Sequence, residues 1–455
     1  MSTQRPSWYR NWLLPTLLAA IALAARLLPG ARTVDDAYIT FRYARNIVEG
    51  VGFVYNPGQH VFGTTTPLYT LLMAGLSLAT GSRDFPTIAL WINALAGACS
   101  TGLLYLIGKQ TLRHELPAAA VGLLWAITPH GVTFAIGGME TEPTIALLLG
   151  VAYAHLTRHS RAIATLSALA LLARPDTAIL IGLVWLDLLV ARRRIPWREG
   201  LLTLVLLAPW LIYGTLTFGS PLTASMEAKR ITYRLPPEAA TVRLLQHYAT
   251  PFLNEDAILP PISVLNPLLF RWYLSPPMPF YMLLILAGAW KAAGDLGRLW
   301  SNHSSVRYAA FGLFTAVALL LTASAWTLHP DHGPDRPAPE MAWFKLELLY
   351  KQAADIVLTH AAPGDTLCAG DIGMLGYRTR LPILDTVGLV TPQASEHYPA
   401  DPSIYVINYA IPAKLVLALD PHHIVILEVY GRQSLLPAPE FQARYRLVEK
   451  IDTTI

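Results

Sequence analysis

The chain has 455 residues, 53% of them apolar and only 14% charged, with a net charge of +4 and a mean hydropathy of +0.40. Soluble domains carry about 25% charged residues, so this composition excludes an ordinary soluble enzyme. Recurrent apolar segments near the ~20-residue spanning length predict a polytopic α-helical membrane protein. The small positive charge, without a zinc finger, an RNA-binding signature or a Walker loop, gives no case for nucleic acid.

The first apolar run predicts a span over 12–29. Arg26 and Arg32 flank it where small residues would precede a cleavage site, so it reads as a retained helix. Arg5 and Arg10 before it place the N-terminus inside the cell. Asp35 and Asp36 then emerge outside, at the head of an external loop over 31–66. A short helix is expected there, capped by Thr33 or Asp35 and ended by Gly50, followed by a turn at Asn56-Pro57-Gly58. Residues 66–80 are apolar but short and read as a juxtamembrane or re-entrant helix. Spans follow at 86–108, 117–134, 142–157, 162–173, 177–191, 201–218, 273–290 and 308–327, about nine in all. The basic clusters Arg158/Arg161, Arg192-Arg193-Arg194 and Lys291 to Arg307 fall inside on this count.

The character changes after 328. His329 to Pro337 reads as a linker. A helical run near 340–360 and β-type runs at Thr366–Gly370, Leu381–Asp385, Ile424–Glu428 and Tyr445–Glu449 predict a small external α/β domain. The chain therefore divides into a membrane module over 1–328 and an extracytoplasmic domain over 329–455. Cys99 lies in an apolar segment and Cys368 in the polar part, which predicts no disulfide and no thiolate metal site.

Four stretches carry charge where folding alone does not ask for it. The adjacent acids Asp35 and Asp36 lie at a membrane boundary, with Tyr38, Arg42 and Arg45 behind them and Phe62-Gly63-Thr64-Thr65-Thr66-Pro67 ahead. A carboxylate there suits a general base toward an acceptor hydroxyl. The plainer reading is acids enriched at a helix N-terminus. Glu140 and Glu142 follow Gly137-Gly138-Met139, whose glycines allow close approach of a ligand to the backbone. Arg174-Pro175-Asp176 sits between apolar runs, either as an ion pair or with Arg174 holding an anion. Lys229 and Arg230 follow an outward crossing and suit a lipid phosphate, or plain contact with headgroups of membrane lipid. The histidines show no common ligand spacing. Oxygen ligands from Asp35, Asp36 and Glu140 would suit Mg2+ or Mn2+, but nothing in the sequence demands a cation.

The run from Asp35 to Asn46, continuing through Glu49 to Gly58, resembles the first external loop of bacterial GT-C glycosyltransferases. Within that superfamily it is most similar to mycobacterial-type terminal arabinofuranosyltransferases and related cell-envelope sugar transferases. Gly138-Met139-Glu140-Thr141, Arg174-Pro175-Asp176, Gly219 to Lys229, and Gly370-Asp371-Ile372-Gly373 with Asp385 to Leu389 resemble further elements of these enzymes. The chain departs from them at Thr223-Ala224-Ser225 and at Thr64-Thr65-Thr66.

The resemblance implies a GT-C-like helical bundle in the bacterial inner (cytoplasmic) membrane. It implies transfer of a sugar from a polyprenyl-phosphate donor to a glycan or lipid acceptor on the outer face, with inversion. Asp36 or Asp35 would be the base, with Glu140 beside them. Arg174, Lys229, Arg42 and Arg230 would hold the donor phosphate, and Tyr38 and Thr65 the acceptor. A secondary transporter with carboxylates as ion sites, or a ligase of lipid-linked polymer, are the competing readings. Transporters show internal repeats and mid-membrane ion sites, whereas the acids here cluster at loop starts and no repeat is visible.

Overall fold

The computed structural model describes residues 8–233, 275–300, 304–327, 336–339 and 341–452. The loop beyond Tyr233 and most of the expected linker from His329 lie outside the described residues. Helices α1 (Trp8–Leu27), α4 (Phe85–Leu112), α5 (Glu115–Ile127), α7 (Thr141–Leu156), α8 (Ser160–Ala173) and α10 (Trp197–Phe218) pack side by side. The helices Met278–Leu299 and Ser304–Ser324 pair with each other and close on α5.

Among the described residues three helices are long and apolar enough to cross a membrane: Phe85–Leu112, Trp197–Phe218 and Ser304–Ser324. A fourth joins them if α5 and α6 (Pro129–Ile136), which meet at a 42° bend, form one span. Outward leucines such as Leu216 and Leu320, 81% and 70% exposed, would be a liability in water and are natural against lipid. The chain is thus a multi-pass helical membrane protein. Helices occupy every segment read as a span, but several, such as the 14-residue α8, are shorter than a full crossing.

The α5–α6 break has a specific repair. Thr128, held extended ahead of Pro129, ends α5, so its last carbonyls lose their intrahelical partners. Arg26 Nη1 donates to Ala126 O at 3.0 Å, and Trp326 Nε1 donates to Ile127 O at 3.0 Å. Arg26 also pairs with Glu142 at 2.9 Å, both fully buried. Gly97 and Gly131 make room for the guanidinium, since a Cβ at either would collide with it. From sequence, Arg26 had read as a flanking group and Glu142 as a candidate acid behind the Gly137-Gly138 pair.

In the C-terminal part, three parallel strands lie in the order Ile383–Asp385, Leu367–Ala369, His423–Val425. Leu367 is in register with Ile383 on one side and His423 on the other. Helix Ala342–His360 begins close to its expected start. The fourth expected strand, Tyr445–Glu449, is not one. Leu447 and Val448 are 80% and 59% exposed, so their alternation meets no partner surface that would make a pleat stable. Both cysteines are free.

One apolar core runs through both halves of the chain. It joins Phe41, Tyr43 and Tyr55 to Leu367, Ile372, Leu375 and Val390. Helix α2 (Asp35–Val48) lies against helix Gly373–Thr379, and the approach is close because Gly373 and Gly376 face it. A Cβ at Gly373 would enter the Asp35 backbone, and one at Gly376 would strike the Tyr55 hydroxyl. The loop over 31–66 and the C-terminal segment are therefore one packed body.

Candidate active site

Helix α2 begins at Asp35, and its N-cap is Val34, which has no side-chain oxygen to offer. Neither Thr33 nor Asp35 caps this helix as expected. Asp35 caps another one. Its Oδ2 accepts from Gly373 N–H and its Oδ1 from Met374 N–H, each at 2.8 Å. Burial and then the charge of Asp371 push the Asp35 carboxyl up to about 8.

Asp36, one residue on, points elsewhere. It lines a cleft with Ile39, Thr40, Gly63, Thr64, Thr65, Met139, Glu140, Ser225, Lys229 and Leu389. The Asp36 carboxylate lies 3.6 Å from Lys229 Nζ, and both side chains keep some exposure, 32% and 17%. The cleft holds about 40 Å³, so a sugar ring enters only by displacing side chains.

Each wall is fixed by identifiable bonds. Thr223 Oγ1 donates to Phe62 O at 2.9 Å, and Ser225 Oγ bonds Gly63 O, which ties the start of α11 (Ser225–Thr232) to the 62–66 turn. The Thr-Ala-Ser sequence that departs from the arabinofuranosyltransferase pattern thus supplies hydroxyls that hold this turn. Tyr43 Oη donates to Val61 O at 2.6 Å and accepts from Gly63 N–H at 2.9 Å. The hydroxyls of Thr40, Thr64 and Thr66 form a triangle of 3.2–3.5 Å. Gly138, at φ +80°, turns the chain into Glu140, and a side chain there would press on Phe41. Asn93 Nδ2 donates to Ala135 O and Met139 O at 2.8 and 3.0 Å and so holds that turn from inside α4.

The remaining candidates lie outside the cleft. Arg174 makes a fork to Asp176, with Nε–Oδ1 3.0 Å and Nη2–Oδ2 2.5 Å, and its Nη1 is 3.7 Å from Glu140. It therefore braces Glu140 from behind. Arg42 is 1% exposed. Its guanidinium donates to Tyr55 O (2.9 Å), Gly376 O (2.7 Å), Leu381 O (2.8 Å) and Asn56 Oδ1 (3.2 Å) and lies over the Tyr55 ring. Two of these bonds hold the 55–56 turn and two join α2 to the C-terminal segment, and Arg42 does not line the cleft, so it is a structural clamp and not a phosphate ligand. Arg230 is exposed and paired with Glu227 at 2.6 and 2.8 Å, away from the cleft. Tyr38 is buried between the Phe41 and Tyr377 rings, 5.2 Å from each, so it presents no face to an acceptor.

Among the described residues no three His, Cys, Asp or Glu side chains are grouped to hold a metal ion. The oxygen set suggested by the sequence does not fit one, because both Asp35 oxygens accept backbone N–H groups and Glu140 faces Arg174.

Sequence reasoning missed Arg26, Asn93 and Glu347. Asn93 carried a signal, an amide inside an apolar helix. Glu347 carried less, as one acid among the mixed residues of Ala342–His360.

Residues 341–454 match a family described as a Domain of unknown function (DUF8728). The Terminal beta-(1->2)-arabinofuranosyltransferase of Mycobacterium tuberculosis (strain ATCC 25618 / H37Rv) is 26% identical over 219 residues, 43% of this chain and 31% of that protein. The chain thus spans about a third of the length of this curated relative. ArnT from Cupriavidus metallidurans in the apo state aligns at a TM-score of 0.49 with 12% identity, over 86% of this chain and 89% of its own. The same protein bound to undecaprenyl phosphate gives 0.48 and 12%, with the same coverage. The curated match is to the class of transferase that the Asp35–Asn46 run resembles.

Proposed function

We propose that the chain is an inverting glycosyltransferase of the bacterial inner membrane. It takes a pentosyl or hexosyl group from a polyprenyl-phosphate donor and places it on a hydroxyl of a cell-envelope glycan or lipid at the outer face. The observation that carries this reading is the pairing of Asp36 with Lys229 in one cleft, a carboxylate and an ammonium 3.6 Å apart. A carboxylate is the base such a transfer needs, and an ammonium is the counter-charge for a phosphate leaving group.

In the transfer, Asp36 takes the proton of the acceptor hydroxyl. The acceptor oxygen bonds to the anomeric carbon from the face opposite the phosphate. The C–O bond to phosphate breaks, and its electron pair stays on the phosphate oxygen. Because a phosphate anion is already stable, Lys229 supplies charge and no acid is required. Lys229 rests on Asp36 in this structure, so donor binding would draw the ammonium to the phosphate and release the carboxylate as base. Thr65, half-buried in the cleft lining, would contact the acceptor, and Glu140, held by Arg174, lines the same cleft.

The test is transfer from undecaprenyl-phosphoryl arabinofuranose to octyl arabinofuranoside in proteoliposomes, with mannosyl counterparts alongside. Asp36→Asn should lower turnover by about 10²–10⁴-fold, and Lys229→Ala should raise the donor KM. Normal turnover in Asp36→Asn would remove the assigned base. Uptake of a solute without any glycoside product would favour a transporter.

A further inference from the structure

The C-terminal sheet meets the cleft with its carboxyl edge. The chain leaves the three parallel strands through Gly370-Asp371, Thr386 to Leu389, and Ile426 to Tyr430, and Leu389 lines the cleft itself. In open parallel sheets that edge is where ligands bind. The two acids on it differ. Asp385 is fully buried and accepts from Val387 N–H (2.7 Å) and Val390 N–H (2.9 Å), so it is consumed in shaping its own loop. Asp371 is half-buried, and one oxygen accepts from the Tyr350 hydroxyl. Its other oxygen makes no hydrogen bond to any described residue.

The surroundings of Asp371 are aromatic and close to the cleft. Tyr233, at the end of α11, and Tyr430 both lie near enough to sense its charge, as do Asp36 and Lys229. Tyr233 and Tyr430 are half-buried. The buried Tyr409 stands between them, 5.3 Å from one ring and 4.8 Å from the other. A carboxylate with a spare acceptor oxygen, within electrostatic reach of two tyrosines, matches the needs of a sugar, which offers O–H donors around its rim and apolar C–H faces.

We propose that Asp371, with Tyr233 and Tyr430, is the subsite that holds the acceptor sugar while its reacting hydroxyl reaches Asp36. This rests on the transferase reading. It makes the C-terminal domain a wall of the reaction site and not an appended module. Asp371 binds substrate but takes no proton in the transfer.

The experiment compares wild type with Asp371→Asn, Asp371→Glu and Tyr430→Ala in the assay above. It also measures binding of octyl arabinofuranosides and mannosides calorimetrically, without donor. Loss of a hydrogen bond to a charged group predicts an acceptor KM and Kd about tenfold higher in Asp371→Asn. Donor KM and slow donor hydrolysis by water should move far less than the acceptor constants, with partial recovery in Asp371→Glu. Tyr430→Ala should show the same split if Asp371→Asn fails to fold. Unchanged acceptor KM and Kd in both variants, or equal loss of donor hydrolysis, overturns the proposal. A wild type that binds these glycosides through Asp371 but forms no product would overturn the transferase reading and leave the sugar subsite standing. A wild type that binds none of the glycosides counts against the subsite itself.

Discussion

Asp35 accepts a hydrogen bond of 2.8 Å from the backbone N–H of Gly373, a residue 338 positions away. That bond separates two acids the sequence sets side by side. Asp35 is spent on capping the helix Gly373–Thr379, and of the two only Asp36 lines the cleft. Replacement of Asp35 by Ala should cost about 1–2 kcal/mol, the usual loss for a helix cap, seen as a lower melting temperature in detergent and faster proteolysis after 330. Asp36→Asn should melt like wild type while losing transfer. If both variants melt alike and differ only in activity, the division of labour is wrong.

A second prediction concerns Arg42. A phosphate-binding arginine would, when lost, raise the donor KM and leave the fold intact. The structure expects the reverse, because its four hydrogen bonds fasten α2 to Tyr55, Asn56, Gly376 and Leu381. Arg42→Lys keeps the charge but loses the planar fork and should destabilise by about 3 kcal/mol or more. Gly376→Ala attacks the same seam from the other side, since its Cβ would meet Tyr55 and Arg42. Thermal melts of both variants decide between the two roles.

How far the sequence could be read depends on the range of the interaction. Apolar runs announce helices locally, so α1, α4, α7 and α10 are visible in it. Asp36 and Lys229 could each be named, because a charge at a membrane boundary stands out. Their neighbours could not be sorted. Whether Asp35, Arg42 or Tyr38 faces a ligand or a protein surface depends on Gly373, Gly376 and Tyr377, more than 300 residues later. The Tyr445–Glu449 run shows the converse error: its β-type residues were legible, but the missing sheet neighbour was not.

A third prediction is a pH dependence. Glu347 is 2% exposed, and its Oε2 has no hydrogen-bond partner among the described residues. Burial, and then the charges of Asp35, Asp371 and Asp36, hold it well above the usual carboxylate range. Asp35 is pushed up to about 8 for the same kinds of reason. As pH rises from about 4 toward 8, the unfolded chain ionises these groups while the folded chain keeps their protons. The native state then binds more protons, so stability falls across that window. Melting temperature should drop between about pH 5 and pH 8. Glu347→Gln should raise it at the upper end and flatten the slope. A melting temperature that rises over this interval would contradict the burial of the acid group.

The last prediction concerns the ion pair of Arg26 and Glu142 inside the bundle. The pair is fully buried, yet Arg26 Nε and Glu142 Oε2 have no hydrogen-bond partner among the described residues. Buried pairs with unsatisfied atoms often add little net stability, whereas breaking one leaves a lone charge that costs about 3–5 kcal/mol. Arg26→Met alone should therefore be severe, since it strands Glu142 and also uncovers Ala126 O at the α5–α6 break. Arg26→Met with Glu142→Leu removes the stranded charge, and should recover most of the loss but not the part owed to that carbonyl. Detergent melts of the single and double variants measure both parts. If the double variant is as unstable as the single, the carbonyl at the break, and not the charge pair, is what Arg26 chiefly serves.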